Sequence, residues 1–423
     1  MRFLYNLLIY LLLIPFACYW VVRGISNRTY LERLGQRFGF GFPKIDSCIW
    51  VHAVSVGEVQ AAAPLIRALI ARFPDRQLLI TTVTPTGAAR VNALFGDTVL
   101  HSYMPFEFPN AIHSFFRDVN PEAALIVETE IWPNLYRGCG VRRIPLILVS
   151  ARISPRSVPG YRKLLPLIRD TLSHGIIIAA QSQPDAGRFL ALGANPTRTC
   201  VMGNIKFDVE PDAGVISRGK VLRGELFGDR PVWIAASTHE GEEPLVLDVH
   251  RALRARHPDL LLVLVPRHPE RFTAVKELIE NQDFSMVART EARPAGHAEV
   301  FLCDTMGEVP LFYVASDVAF VAGSLVPIGG HNLLEPAVLG VPVVTGPHNF
   351  NAQDIADLFV DLGACRRVAG TEELVETVSE LLSDPDQAAR LGRAGQKVLD
   401  ENRGALERLL VLLEPLLSKH RSG

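Results

Sequence analysis

Several devices that define large protein classes are missing from this chain. Its 423 residues include six cysteines, at positions 18, 48, 139, 200, 303 and 365, scattered mostly through apolar runs and with no Cys-x-x-Cys pair. That excludes a disulfide scaffold and points to a reducing compartment without structural zinc. The histidines show no zinc spacing. No Walker loop and no Ser-His-Asp arrangement is visible, nor any internal repeat or low-complexity tract. The net charge of −2 argues against a general nucleic-acid binder. The one Asp-x-Asp, Asp384-Pro385-Asp386, falls between late helices and reads as a cap, not a metal site. Against these absences stands a composition that is 48% apolar, enough for a large core. The length suggests roughly two or three domains.

The N-terminus departs from globular composition. Phe3 to Val22 carries no charge and has about the length needed to span a bilayer. No small-x-small cleavage site follows, so a retained anchor is expected over residues 1–24. Arg23, Arg28, Arg33, Arg37 and Lys44 follow it, against Arg2 alone before it. The positive-inside rule places the rest of the chain in the cytoplasm. Tyr30, Leu31, Leu34 and Phe38 interleave with the arginines at near-helical spacing, which predicts a helix on an anionic membrane surface. A solvated helix packed on the first domain is the alternative.

From Cys48 onward strand and helix patterns alternate. Buried strands are expected at Ile49–Ser55, Gln77–Thr82, Val99–Tyr103, Ala123–Glu128, Leu146–Ser150, Ile176–Ala180 and Thr199–Met202. Pro, Gly and charge interrupt the pattern around Val209–Pro231. Strands resume at Val232–Ala236, Leu260–Val265, Phe284–Ala288, Val300–Cys303, Val318–Ala322 and Val341–Thr345, and helices ending in Leu406–Leu417 close the chain. Alternation of this kind implies α/β architecture with parallel sheets covered on both faces. The pattern predicts two doubly wound, Rossmann-like domains, at 25–212 and 213–423, facing a cleft, with ligands at the carboxyl ends of their strands.

Residues 321–347 read as strand, glycine loop, helix and strand. Gly323, Ser324, Gly329 and Gly330 punctuate, His331-Asn332 stands where a helix should begin, and Glu335 lies one turn in. Such a helix start is an anion site, which predicts a nucleotide cradle; a plain βαβ turn is the alternative.

Other strand ends carry charge. Glu58 opens a helix after Ser55 and Gly57. It could act as a general base or be an ordinary first-turn glutamate; the helix dipole would lower its pKa unless burial or a neighbouring carboxylate offsets that. Glu128 and Glu130 close the fourth strand and share a face if the strand continues. They could hold an acceptor sugar, stabilise developing positive charge, or pair with Arg137 or Arg152. Lys206 could neutralise a carboxylate or phosphate, or pair with Asp208. The basic run Arg137, Arg142, Arg143, Arg152, Arg156, Arg162 and Lys163 suits an acidic acceptor or a solvated surface. In the second half, Arg267 is placed for a phosphate, Met306-Gly307-Glu308 opens a helix that could line a base pocket, and Ser237 to Glu243 reads first as a capped helix start.

Seven motifs in order, HAVSVGE (52–58), ETEIWPN (128–134), ARISPRS (151–157), GNIKFD (203–208), STHEGEE (237–243), PRHPERF (266–272) and GGHNLLEP (329–336), make the chain resemble the Kdo transferases of lipopolysaccharide synthesis over nearly its whole length. The resemblance implies a GT-B glycosyltransferase, inverting and metal-independent, with no cofactor. It implies CMP-Kdo as donor and a lipid A precursor as acceptor at the inner membrane. By that likeness Glu58 is the base, and Glu128 and Lys206 help stabilise the transition state. Pro266, Arg267, Met306, Gly307, Glu308, Asn332, Leu333, Leu334 and Glu335 would bind CMP. The family often has Asn before Ala-Arg of the third motif; here Ser150 stands there. The alternatives are another GT-B nucleotide-sugar enzyme, such as an epimerase, and a membrane-tethered nucleotide-binding scaffold.

Overall fold

The structure is a computed structural model that describes residues 1–26, 28–210 and 212–418. Asn27, Pro211 and residues 419–423, which the expected domain ranges include, lie outside the described residues. The chain divides into two compact units. One comprises Met1–Asp208 and the chain from Asn402, and the other comprises Val209–Glu401.

The first unit is built on seven parallel strands: β1 (Cys48–His52), β2 (Gln77–Thr82), β3 (Leu100–Tyr103), β4 (Pro121–Val127), β5 (Leu146–Ala151), β6 (Ile177–Ala180) and β7 (Thr199–Val201). Their order is β3-β2-β1-β4-β5-β6-β7. Both faces of the sheet are covered, so the strands are near-continuous apolar runs. Along β1, Cys48 and Trp50 face a core with Phe115, Leu135 and Tyr136. Ile49 and Val51 face the other way, onto Leu65, Ile66 and Leu69 of the helix Val56–Arg72. The chain reverses its winding direction between β1 and β4, and such a switch point leaves a crevice at the strands' carboxyl ends.

The last helix, Ala405–Ser418, was expected in the second domain, but it packs on the first. Leu409, Leu410, Leu413 and Leu417 join the core face of Ile49, Val51 and Ile147. Asp208 pins its start, accepting from the amides of Gly404 at 2.6 Å and Leu406 at 2.8 Å. Arg72 pairs with Glu414 at 2.6 Å further along. Helical periodicity shows that a stripe must be buried, not which sheet buries it.

The second unit repeats the plan with β8 (Val232–Thr238), β9 (Leu261–Pro266), β10 (Met286–Ala288), β11 (Val300–Leu302), β12 (Val318–Val321), β13 (Val343–Thr345) and β14 (Arg366–Arg367). The order is β10-β11-β9-β8-β12-β13-β14, again all parallel. The reversal falls between β8 and β12. The edge strand β14 is two residues long and polar, so no sequence pattern announces it.

The N-terminal segment is two helices, Arg2–Leu11 and Leu13–Ser26, bent by 49° at their junction. Among the described residues no single helix is long and apolar enough to cross a membrane, although the bent pair has the length and composition together. This corrects the expectation of one continuous span. The pair docks side chains on the first unit. The Tyr5 hydroxyl donates to Glu107 at 3.1 Å, Asn6 accepts from Asn134 at 2.8 Å, and Phe16 and Trp20 pack on Phe106. Phe3, Leu7, Leu8, Leu11, Ile14 and Ile25 remain exposed.

The expected surface helix after the anchor is also corrected. A 3-10 turn, Arg28–Leu31, and a short helix, Leu34–Arg37, are separated by Arg33 in the left-handed region at φ +49°. Arg37 is fully buried rather than spread on a surface. Its guanidinium lies 4.4 Å from the Trp20 ring and 4.3 Å from Tyr103, and donates to the Val83 carbonyl at 2.7 Å. Aromatic faces attract a cation electrostatically, which offsets part of the cost of taking it out of water.

Candidate active site

Glu58 sits in the first turn of the helix that follows β1. Its carboxylate folds back over the helix start, accepting from the Val54 amide at 2.8 Å and from the Ser55 hydroxyl at 3.4 Å. Burial dominates its titration and pushes it up to about 7, the Val54 amide opposes this, and Glu128 and Glu130 push further upward. The dipole's downward pull is therefore overcome. A carboxylate with that affinity for a proton is matched to accepting one near neutral pH.

Glu128 follows β4, but the strand stops at Val127. Glu128 takes φ +60°, so the expected period-two pairing of Glu128 with Glu130 does not apply. For a non-glycine residue that conformation is costly, and it turns the side chain out of the sheet's alternation. There it meets Lys206 Nζ at 2.6 Å and Arg152 Nε at 3.2 Å. Burial would raise the Glu128 pKa, but the two cations outweigh it and hold the group below its ordinary value. Glu130 goes its own way, accepting from Trp132 Nε1 at 2.6 Å. Burial pushes it up to about 6, the Trp132 bond opposes this, and Glu128 adds to the rise.

Lys206 reaches Glu128 from a 3-10 turn, Ile205–Phe207, and not Asp208, whose carboxylate holds the last helix. Ser150 has φ +49°, and its hydroxyl accepts from the Ile205 amide at 3.1 Å. Asn tolerates the left-handed region better than Ser, so the Asn that the resemblance leads one to expect would suit this backbone. Ser150 thus supports the turn that presents Lys206. Of the basic run, Arg152 alone among the described residues pairs with these carboxylates; Arg142 lies over Phe116. His52 of the first motif is a core residue: Nδ1 is 2.8 Å from Thr81 Oγ1, and burial pushes its pKa down to about 4.

In the second unit Arg267 follows β9. Its amide donates to Thr238, and its guanidinium has no hydrogen-bond or ion-pair partner among the described residues. Pro266 is buried as the last residue of β9. Met306 is exposed, Gly307 has φ +85°, and Glu308 is held by Arg289 at 3.0 and 3.1 Å. The helix beyond Asn332 spans only Leu334–Val338. Five residues make too short a helix for the dipole effect expected of the cradle. Asn332 is exposed and accepts from the Leu334 amide at 3.1 Å. The Leu333 and Leu334 side chains are buried in the core, so a nucleotide would meet only their backbone.

The glycine loop holds a second correction. The amides of Gly323, Ser324 and Leu325 donate to Glu242 at 2.6, 3.0 and 2.9 Å. The protein's own buried carboxylate fills that nest. The STHEGEE stretch does not cap its helix with this residue; it ties the end of β8 to the loop after β12. Sequence reasoning missed this role, because a glutamate beside a helix start looks the same in either use. It also missed Glu107, whose buried carboxylate accepts from the amides of Asn134 and Leu135 at 2.7 and 2.9 Å and so sets the start of the helix Pro133–Arg142. Among the described residues no group of three or more His, Cys, Asp or Glu side chains is placed to hold a metal ion.

The structure therefore joins Glu128 to Lys206 and sets Glu58 within electrostatic reach of both, while in the second unit Arg267, Met306–Glu308 and Asn332–Glu335 lie in the segments that follow β9, β11 and β12. Comparison with known proteins agrees with this division. The family described as 3-Deoxy-D-manno-octulosonic-acid transferase (kdotransferase) matches residues 32–209, and glycosyl transferases group 1 matches residues 229–398. A 3-deoxy-D-manno-octulosonic acid transferase of Haemophilus influenzae is 42% identical over 99% of each chain. One from Bordetella pertussis is 35% identical over 87% of each. A glycosyltransferase structure from Rickettsia africae, 14% identical, aligns with a TM-score of 0.57 over 88% of this chain and 99% of its own. A UDP-GlcNAc 2-epimerase from Neisseria meningitidis, 16% identical, aligns at 0.53 over 84% and 98%. These two show the GT-B-like fold alone. Carried by full-length identity and by motifs that converge on two sets of strand ends, the chain belongs to the 3-deoxy-D-manno-octulosonic acid transferase family of glycosyltransferases.

Proposed function

We propose that the protein transfers Kdo from CMP-Kdo to a lipid A precursor with inversion at the anomeric carbon. The observation that carries the assignment is Glu58, poised at about 7 beside the Glu128–Lys206 pair. Glu58 takes the proton of the acceptor hydroxyl as that oxygen bonds to the anomeric carbon. The bond from that carbon to the phosphate oxygen breaks, and CMP leaves with the electron pair. Glu128 stabilises the positive charge that grows on the sugar, and Lys206 and Arg152 keep Glu128 ionised. Arg267 answers the charge on the departing phosphate, with Met306–Glu308 and Asn332–Glu335 around the nucleotide.

The bent N-terminal pair seats the enzyme on the inner membrane, catalytic units on the cytoplasmic side, through its exposed apolar side chains. An acceptor that is itself a lipid makes this placement useful. The decisive experiment incubates purified protein with CMP-Kdo and lipid A precursor and weighs the product. No mass gain would refute the assignment. Glu58→Gln should abolish that gain and leave CMP binding intact, whereas a nucleotide-binding scaffold would be indifferent to the change.

A further inference from the structure

At the ends of β8 and β12 stands a pair of side chains that the reaction above leaves without a task. His239 follows β8, and His331 lies in the loop after β12. Their Nε2 atoms are 2.8 Å apart, and the rings are within 7° of parallel. Gly323 permits this approach: at φ +70°, a Cβ there would come within 2.8 Å of the His331 ring. A third imidazole, His268, sits edge-on to His239 at 5.2 Å.

Two imidazole nitrogens at this distance must share one proton, one donating and the other accepting. Neither Nδ1 has a hydrogen-bond partner among the described residues. A further proton on the pair therefore goes to an Nδ1 and leaves the central hydrogen bond intact. The protein itself does not favour that proton. Arg267 and His268 face both rings, and Arg271 adds to the field at His239. The nearby carboxylates are engaged elsewhere: Glu242 by the three loop amides and the His239 amide, Glu240 and Glu243 by Arg271, and Glu270, 3.8 Å from His268 Nδ1, by that ring. Glu335 lies four residues further along the chain. Burial first, then the neighbouring His239, Arg267 and His268, push His331 down to about 3. An arriving phosphate reverses the local field.

We propose that the His239–His331 pair takes up one proton from solution when a nucleoside monophosphate binds at these strand ends, so that a cationic imidazole pair joins Arg267 in facing the phosphate. The proposal rests on the donor-site assignment for the second unit. Its balance is simple: the pair passes from neutral to singly charged on binding and returns the proton when the nucleotide leaves. Two cationic groups, rather than one, then meet the charge of the departing group.

Calorimetric titration of CMP into the full-length protein, in buffers of different ionisation enthalpy at pH 7.5, reads the proton directly. The parent should take up a measurable fraction of a proton per CMP bound, the fraction growing as the pH is lowered, and its affinity should rise with falling pH by the same linkage. His331→Gln and His239→Gln should each lose the uptake and flatten the pH dependence. His268→Gln should keep both. The titration of CMP itself is common to all four proteins, so the difference between parent and variants is the readout. The two separate glutamine variants guard against a folding defect in either one. CMP binding without proton uptake, or uptake that survives in both variants, overturns the proposal and leaves the donor site standing. Absence of CMP binding overturns both.

Discussion

The two units share a fold and differ in the charge at their strand ends. Each has seven parallel strands with the reversal beside its first strand, between β1 and β4 in one and between β8 and β12 in the other. At the first reversal stand Glu58, Glu128 and Glu130, with Lys206 and Arg152 tempering one of them. At the second stand Arg267, His239, His268 and His331, with the local carboxylate Glu242 turned inward onto backbone amides. One frame thus carries a buried carboxylate with raised proton affinity, and the other a cluster of imidazoles beside a guanidinium. The difference shows that chemistry here lives in a few residues at strand ends, not in the fold that carries them.

The comparison can be broken most sharply at Glu58. Glu58→Gln should lower turnover by about 10²–10⁴-fold, the usual worth of a positioned general base, with CMP affinity unchanged in calorimetry. In the parent, turnover should fall as pH drops through about 7, because the base becomes protonated. Next comes the basic edge. Arg267→Ala should weaken CMP by about ten- to a hundredfold, as expected for loss of a charged hydrogen bond, and leave thermal stability unchanged. An unaltered dissociation constant would remove Arg267 from the phosphate.

Lys206→Ala tests the tempering of the acidic edge. It leaves Glu128 with Arg152 alone and should destabilise the first unit by about 1–3 kcal/mol, read by denaturant unfolding. Glu242→Gln should cost about as much in the second unit, since one amide oxygen must replace a carboxylate serving four N–H groups.

The last effect concerns stability and pH. The Glu58 carboxyl is raised from 4.5 to about 7 in the folded state, so folding favours its protonated form. That contribution is complete below the unfolded pKa and is lost as pH rises through about 7. Glu58→Gln should therefore be more stable than the parent at pH 8, by about 1–3 kcal/mol, though inactive. Equal melting at pH 5 and a gain at pH 8 is the expected pattern.

Much of this was legible in the residues alone. Apolar runs spaced by helical patterns specify two parallel sheets, because a strand buried on both faces has no room for alternation. Every strand except β14 was recognised within a few residues of its observed ends. The motifs singled out Glu58, Glu128, Lys206 and Arg267, and the structure brings Glu128 and Lys206 to 2.6 Å of each other. Lys206's partner stayed open between Glu128 and Asp208, because both are acids within reach of a flexible side chain.

What the sequence by itself determined was periodicity, composition and motif, all properties of neighbours along the chain. Tertiary structure alone decided that the last helix returns to the first sheet, that Asp208 pins it, and that the apolar N-terminus bends and docks by Tyr5 and Trp20. It alone decided that Glu242 fills the glycine loop and that His239 meets His331 across 92 positions. These are long-range choices among chemically equivalent partners. A carboxylate satisfies an amide, an ammonium or a helix start equally well, and only the packed chain says which one comes within 3 Å.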